Sequence, residues 1–154
     1  YMLLRRTLTD IGLAPYSAKN AYARERPFMV SGTPVCTPKD EEALRKDGSY
    51  PSGHTAIGWG WALILTELAP DQAEEILARG RAFGESRNVC NAHWYTDVVA
   101  GRLVGAAAVA KLHANEEFLA AMEAAGADIE RARREGLAPK NDCAVEKAAL
   151  ATMR

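Results

Sequence analysis

Residues 54–68 read HTAIGWGWALILTEL, an almost unbroken apolar run that follows the loop Ser49-Tyr50-Pro51-Ser52-Gly53. When this segment is wound as an α-helix, apolar side chains point in nearly every direction and almost no polar face remains for water. Such a helix is stable only where other helices cover it on several sides. The run therefore predicts a central buried helix, with the rest of the fold arranged around it.

The composition of the chain favours an all-α protein. Alanine, the best helix former and a poor strand residue, occurs 29 times among 154 residues, whereas valine and isoleucine together occur 13 times. Residues 28–36 are predicted to form a loop, and the tail from Gly136 is predicted to be exposed. We expect a single domain over residues 1–154, a compact helical bundle around the 54–68 helix. Apolar spacing and capping residues predict the other helices near residues 4–11, 18–25, 37–47, 71–87, 97–113, 115–126 and 129–135.

The charge balance excludes several classes of partner. Lysine and arginine number 19 and aspartate and glutamate 20, which gives a formal net charge of −1. A chain so balanced has no overall electrostatic attraction for nucleic acid, so we expect no nucleic-acid partner. No apolar stretch reaches the roughly 18 to 20 residues that a bilayer span needs, so we expect no membrane span. Because the net charge is near zero, any basic site must be a local concentration of charge. The first residues show no signal-peptide pattern.

The first segment with candidate site residues contains Lys19 and Arg26. If both lie on one helix, their separation of seven residues brings them within about 20° of one face and roughly 10 Å apart along the axis. Two cations stacked in this way repel each other unless an anion lies between them or solvent screens them. The segment is therefore either half of an anion site or a solvated basic face.

The second segment is Pro51-Ser52-Gly53-His54, directly before the apolar helix. Free N–H groups at a helix N-terminus bind anions, Ser52 adds a hydroxyl, and Gly53 lets a ligand approach the backbone closely. His54 would then lie at the wall of the pocket. The alternative is a capped helix that carries an incidental histidine.

The third segment is Ser86-Arg87 followed by His93 and Asp97, and its histidine and aspartate, four residues apart, are predicted to share a helical face. A carboxylate bonded to one ring nitrogen fixes the tautomer and leaves the other nitrogen as a base or nucleophile. The alternatives are a structural His–Asp hydrogen bond or half of a metal site. No clustered spacing of histidine and cysteine supplies the remaining zinc ligands, so we expect no metal. The three cysteines allow at most one disulfide, and their pairing stays open.

Taken together, these segments form a pattern that resembles a known family. The residues are Lys19-x6-Arg26-Pro27, then Pro51-Ser52-Gly53-His54, then Ser86-Arg87-x5-His93-x3-Asp97. This pattern resembles the three-part signature of the type 2 phosphatidic acid phosphatase superfamily. The flanking residues resemble those of bacterial class A non-specific acid phosphatases, and the resemblance runs from about Thr7 to Glu117. These flanks are Gly48-Ser49-Tyr50 before the second motif, Gly84-Glu85 before the third, and Cys90, Ala92 and Trp94 within it.

The resemblance implies catalytic roles for three residues. His93 would be the nucleophile that attacks phosphorus and forms a phosphohistidine, and Asp97 would hold its ring in the reactive tautomer. His54 would protonate the leaving oxygen and then deprotonate the water that hydrolyses the intermediate. The fold implied is an all-α bundle of the phosphatase and haloperoxidase type.

The resemblance also implies a phosphate cradle, in which three cations are joined by the Ser52 hydroxyl and the Gly53 N–H. The cations are Lys19, Arg26 and Arg87. Phosphoryl transfer depends on positioning and charge compensation, and three fixed cations can replace metal ions, so we expect no cofactor. The expected enzyme is a metal-independent, broad-specificity acid phosphatase acting on nucleotides and sugar or aryl phosphates, with a phosphotransferase side activity. The resemblance further implies a periplasmic or secreted homo-oligomer.

Three other functions compete with this one. A vanadium-dependent haloperoxidase uses a similar pocket to hold vanadate as its cofactor. A membrane lipid phosphatase is disfavoured because no span is predicted, and a phosphate-binding structural module is disfavoured because binding alone requires neither histidine. Members of the family usually carry a further helical segment before the first motif, and only 18 residues precede Lys19. We therefore expect part of the N-terminal helical region to be missing from this chain.

Overall fold

The computed structural model describes residues 1–152, and over that range the chain is helical without any strand, which confirms the all-α fold. Two 3₁₀ turns, Pro38–Asp40 and Pro70–Gln72, lead into helices. The helices are α1 Met2–Leu13, α2 Tyr16–Tyr22, α3 Pro27–Ser31, α4 Glu41–Arg45, α5 Gly53–Leu68, α6 Ala73–Val89, α7 Tyr95–Leu112, α8 Glu116–Arg134 and α9 Cys143–Ala151.

Helix α5 is the central element, as the apolar run predicts. It packs against α1, α6, α7 and α8. Ala56 and Ile64 on α5 are fully buried and join a core that includes Ile11 of α1 and Val109 of α7. The side of α5 that carries Trp61 is only half-buried, where α5, α6 and α9 line a cavity of about 520 Å³. The helix is therefore central without being enclosed on every side.

Glycines on α7 allow it to cross α5 at very close range. A Cβ atom on Gly101 would lie 2.6 Å from the carbonyl oxygen of Ser52, and one on Gly105 would lie 2.5 Å from that of Ala56. Both obstacles are backbone atoms, so no side-chain movement relieves them. This close crossing brings the N-terminal ends of α5 and α7 together, and these ends carry the second and third motifs.

The segment between Ala23 and Gly32 differs from its prediction. Helix α2 ends at Tyr22 because Ala23 adopts a left-handed conformation with φ of 43°. Residues 28–31 of the predicted loop belong to the short helix α3, which starts at Pro27 and stops before Gly32, whose φ is 69°. Proline at the first position and a left-handed glycine after the last are ordinary helix boundaries.

The C-terminal region also differs from its prediction. The two helices predicted near 115–126 and 129–135 form one helix, α8, that continues through Gly126, because a single glycine costs only about 1 kcal/mol in a long helix. The tail from Gly136 is exposed as predicted over most of the described residues, yet it contains α9, whose Glu146 pairs with Arg79 at 2.7 Å. The tail prediction also covers residues 153 and 154, which lie outside the described residues.

The cysteine pairing left open by the sequence is given by the structure. Cys36 and Cys90 form a disulfide, and Cys143 is free and exposed. The disulfide joins the loop after α3 to the end of α6, three residues before His93. Within residues 1–152, no helix combines the length and the hydropathy required to cross a bilayer.

Candidate active site

His93 and Asp97 form a buried pair at the start of α7. Asp97 lies in the first turn of the helix, and its Oδ2 accepts the backbone N–H of Trp94 at 2.8 Å. The same oxygen lies 3.4 Å from Nδ1 of His93, a long hydrogen bond. The prediction that they share a helical face is wrong, because His93 precedes α7 and the two residues meet across the helix start. Its side chain is 1% exposed and that of Asp97 is 0% exposed.

The tautomer of His93 follows from its second neighbour. Nη1 of Arg26 lies 3.1 Å from Nε2 of His93. A guanidinium can only donate hydrogen bonds, so Nε2 accepts with its lone pair and Nδ1 carries the hydrogen toward Asp97. Burial lowers the pKa of His93, the hydrogen bond to Asp97 opposes it, and the charges of Arg26 and Lys19 add to the lowering, so that the pKa is about 4. His93 is therefore neutral over most of the acid range.

The carboxylate of Asp97 is held in its ionised form. Burial alone raises its pKa, but the hydrogen bonds from His93 and from the Trp94 N–H outweigh burial and the pKa is lowered overall. Its other oxygen, Oδ1, accepts Nη1 of Arg24 at 2.8 Å. Arg24 also lies over the ring of Trp94, 5.4 Å from the ring centroid. Asp97 is thus fixed on both oxygens.

Lys19 and Arg26 meet at one carboxylate, that of Asp47. Oδ2 of Asp47 lies 3.1 Å from Nζ of Lys19 and 3.1 Å from Nη2 of Arg26. The prediction that both cations share one helical face is wrong, because α2 ends at Tyr22 and Arg26 caps α3. The sequence left two ways to relieve the repulsion between these cations, an anion between them or screening by solvent; both side chains are buried, and the Asp47 carboxylate contacts both. Desolvation by burial lowers the pKa of Lys19, and Asp47 opposes it.

Arg26 also fastens the surrounding loops together. Its Nε donates to the carbonyl oxygens of Leu44 at 2.8 Å and Asp47 at 3.0 Å. Its Nη1 donates to the carbonyl oxygen of Ala92 at 3.0 Å. The side chain is 1% exposed. One guanidinium therefore connects the loop before α5 to the loop that carries His93.

Ser52 and Gly53 lie where α5 begins. Oγ of Ser52 accepts the N–H of Thr55 at 3.2 Å and the hydroxyl of Thr55 at 2.9 Å. A hydroxyl has two acceptor positions and one donor, so these two bonds leave the hydrogen of the buried Ser52 hydroxyl free to donate. A Cβ atom on Gly53 would lie 3.8 Å from Cε of Lys19. The cap and the anion cradle are thus compatible.

His54 and Arg87 lie beside the buried pair. The ring centroids of His54 and His93 are 6.3 Å apart, and the His54 side chain is exposed. Desolvation of the part of the ring that faces the protein lowers the pKa of His54. The charges of Arg87, Arg26 and Lys19 lower that pKa further. Arg87 is half-buried, and its Nε donates to the Ser86 hydroxyl at 3.3 Å. Within residues 1–152 no carboxylate forms an ion pair with Arg87, in contrast to Lys19 and Arg26.

Sequence reasoning missed two residues of this site, Asp47 and Arg24. Asp47 directly precedes the Gly48-Ser49-Tyr50 flank, and the need for an anion between two basic residues was a usable signal. Arg24 stands two residues before Arg26, and nothing in its spacing distinguishes it from a solvated cation. Across residues 1–152, His, Cys, Asp and Glu side chains form no group of three or more that could hold a metal ion.

Comparisons with known proteins agree with the motif resemblance. The sequence profile of the PAP2 superfamily matches residues 2–117. The chain is 48% identical over 147 residues to an acid phosphatase of Zymomonas mobilis, an alignment that covers 95% of this chain and 54% of that protein. It is 50% identical over 119 residues to a non-specific acid phosphatase of Providencia stuartii, covering 77% and 48% of the two chains. A third relative, a non-specific acid phosphatase of Salmonella typhimurium, is 50% identical over 117 residues, covering 75% and 47%. The chain spans about half the length of these relatives.

Proposed function

The chain belongs to the PAP2 superfamily, and from that membership and the geometry of the site we propose that it is an acid phosphatase acting on phosphate monoesters. The observation that carries the proposal is the geometry around the buried His93 ring. Asp97 lies on its Nδ1 side, and Nε2 lies 3.1 Å from Nη1 of Arg26. A histidine held this way is a nucleophile for an electrophile of negative charge.

In the proposed first step, Nε2 of His93 attacks the phosphorus atom and the bond from phosphorus to the ester oxygen breaks. His54 gives its proton to the leaving oxygen, which departs as an alcohol. In the second step, water attacks the phosphohistidine, His54 takes the proton from that water, and the bond from phosphorus to nitrogen breaks. The products are inorganic phosphate and the original His93. An alcohol that replaces water in the second step would give phosphotransfer.

Charge compensation in this proposal comes from the chain itself. Lys19, Arg26 and Arg87 surround the position that the phosphoryl oxygens would take, and Ser52 and the Gly53 N–H add donors. Fixed donors aimed at developing charge supply a large share of catalysis in such reactions. We therefore propose that hydrolysis requires no metal ion.

The disulfide supports the proposal of an oxidising compartment. Disulfides persist in oxidising environments, and Cys36–Cys90 lies beside the site. A periplasmic or secreted location is therefore part of the proposal. Homo-oligomerisation and the identity of the preferred ester stay predictions from the family resemblance.

The test of the proposal is a trapped intermediate. We expect hydrolysis of p-nitrophenyl phosphate, and labelled substrate quenched in base should leave label on His93, because phosphoramidates survive base better than acid. His93→Ala should abolish both turnover and label. The matched control is His113→Ala, at the end of α7, where the imidazole pairs with Glu67. Label on Ser52, or single-turnover hydrolysis without label, would contradict the covalent mechanism.

Metal independence has its own test. Hydrolysis should continue in the presence of a strong chelator at the rate seen without it. Loss of activity in chelator, restored by zinc or magnesium, would show that the cations of the site do not suffice.

A further inference from the structure

Asp47 differs in accessibility from the two cations that it pairs. Its side chain is 33% exposed, whereas Lys19 and Arg26 are 3% and 1% exposed. Lys19 is fixed further by a hydrogen bond to the carbonyl oxygen of Gly48. The cations are therefore held inside the protein, and the carboxylate is the member of the cluster that can turn toward water.

Every N–H of the Arg26 guanidinium already has a partner. Nε donates to the carbonyl oxygens of Leu44 and Asp47. Nη1 donates to the carbonyl oxygen of Ala92 and to Nε2 of His93. Nη2 donates to Oδ2 of Asp47 at 3.1 Å, with a longer contact of 3.5 Å to the carbonyl oxygen of Gly48. A phosphoryl oxygen that binds Arg26 must replace one of these partners as the acceptor of a hydrogen bond. The backbone carbonyls are fixed, so Asp47 is the acceptor on the Nη2 side that can leave by side-chain rotation.

We propose that Asp47 is an internal counter-anion that competes with a phosphoryl group for Lys19 and Arg26. The choice of a phosphoryl group as competitor rests on the proposed function. When phosphate binds, its oxygens accept the hydrogen bonds from Nζ of Lys19 and Nη2 of Arg26, and the Asp47 carboxylate rotates toward solvent. The same competition acts in reverse on the product, because the returning carboxylate helps to expel inorganic phosphate. Asp47 thereby weakens phosphate binding and speeds release.

The variant that isolates this effect is Asp47→Asn. The amide keeps the shape of the side chain and can still accept a hydrogen bond from each cation, but it carries no charge. We expect the Asp47→Asn variant to bind inorganic phosphate about tenfold more tightly than the wild-type chain, or more, in titration calorimetry. Tenfold is equivalent to about 1.4 kcal/mol. KM and kcat for p-nitrophenyl phosphate should fall together, because product leaves more slowly.

The matched control is Asp40→Asn. Asp40 is exposed and contributes to the charge around His54, but it forms no ion pair with Lys19 or Arg26 within the described residues. The variant changes net charge by the same amount, and we expect phosphate affinity to change by less than about twofold, as for a screened surface charge. An equal gain in both variants would show a general field effect and overturn the competition.

Unchanged or weaker phosphate binding by Asp47→Asn, in a wild-type background that binds phosphate and hydrolyses ester, would overturn this inference alone. Wild-type protein that neither binds phosphate nor hydrolyses ester would overturn the proposed function as well. A structure of the wild-type chain with phosphate bound needs no variant. It should show Oδ2 of Asp47 withdrawn from both cations, and retention of both 3.1 Å contacts would contradict the proposal.

Discussion

Nη1 of Arg26 lies 3.1 Å from Nε2 of His93, and the two side chains are almost completely excluded from solvent. The same guanidinium reaches Asp47 through Nη2. A phosphoryl oxygen that draws Nη1 toward itself would free the lone pair of His93 at the moment when phosphorus arrives. The proposed nucleophile and the proposed phosphate cradle thus share one side chain.

Arg26→Lys should damage stability and catalysis together, although the charge is kept. A single ammonium cannot satisfy all three carbonyl oxygens that the guanidinium now joins, the part-buried ones of Leu44 and Asp47 and the buried one of Ala92. Each unsatisfied buried acceptor costs about 1–3 kcal/mol, so we expect the free energy of unfolding to fall by about 2–4 kcal/mol. Urea unfolding followed by circular dichroism measures this change, and kcat should fall in the same variant.

The control for this variant is Arg45→Lys. Arg45 is half-exposed, pairs with Glu41 on the same helix, and lies over the ring of Phe28. We expect a change within about 1 kcal/mol, as for surface ion pairs. Equal losses in the two variants would mean that the fork geometry of Arg26 is not what holds the loops.

The pH dependence of kcat/KM should be bell-shaped and lie in the acid range. His93 must be neutral to attack, so activity rises with pH through its pKa of about 4. His54 must be protonated to act as an acid, so activity falls again as pH rises through a pKa held below 6.5. The two limits are macroscopic values shared by the interacting pair. Rates should be measured from pH 3 to 8 and corrected for ionisation of the ester.

Replacement of His54 by Asn should remove the descending limb of that profile and keep the ascending one. Activity that keeps rising up to pH 8 in the wild-type chain would contradict an acid role for His54. An ascending limit near pH 6.5 would show that His93 is more solvated during turnover than its burial indicates.

Gly101→Ala should destabilise the fold and disturb the second motif. The added Cβ would lie 2.6 Å from the carbonyl oxygen of Ser52 and 2.9 Å from Cβ of Thr55. Relief requires α5 and α7 to separate at the point where Ser52 caps α5. Overpacking of this kind costs about 1–3 kcal/mol, and phosphate affinity should fall as well. Thermal unfolding and phosphate titration measure the two effects.

Gly126→Ala is the matched substitution. Gly126 lies within α8, and a Cβ there would meet Leu68 only at 3.9 Å. Removal of a helical glycine should stabilise the protein by about 0.5–1 kcal/mol without any effect on phosphate binding. A gain in stability from both variants would show that the crossing of α5 and α7 is looser than the distances indicate.

The parts of the fold that the sequence predicts are those governed by local pattern. The apolar run of α5 and the alanine content decide the fold class, and Ser52 and Asp97 occupy the helix starts where short-range hydrogen bonds favour them. Helix α3 was missed because a five-residue helix has no periodicity, and its boundary residues Pro27 and Gly32 also fit a loop. The continuous α8 was missed because glycine is common where helices end, and Gly126 fits that pattern.

The parts of the site that escaped prediction depend on contacts between distant segments. Asp47 is 28 residues from Lys19 and 21 residues from Arg26. No spacing rule joins a carboxylate in one loop to cations in two other segments. The motif positions were predicted because the three segments together resemble the signature of a known family, although each segment alone left an alternative open. A counter-ion is defined only by the fold that surrounds it.

The proposed role of His54 predicts a dependence on the leaving group. A general acid matters only when the leaving oxygen needs a proton, and nitrophenolate departs readily as an anion whereas an alkoxide does not. His54→Asn should therefore slow phosphorylation of the enzyme by about 10²- to 10⁴-fold for an alkyl phosphate and far less for p-nitrophenyl phosphate. The second step still needs a base, so the aryl substrate should give a burst of nitrophenol and then stall.

His93→Ala should abolish both reactions, and His113→Asn should change neither. Rapid-mixing measurements of the first turnover on both esters decide the question. Equal losses for the two leaving groups would show that His54 binds the phosphoryl group without donating a proton, since only proton donation distinguishes an alkoxide from a phenolate.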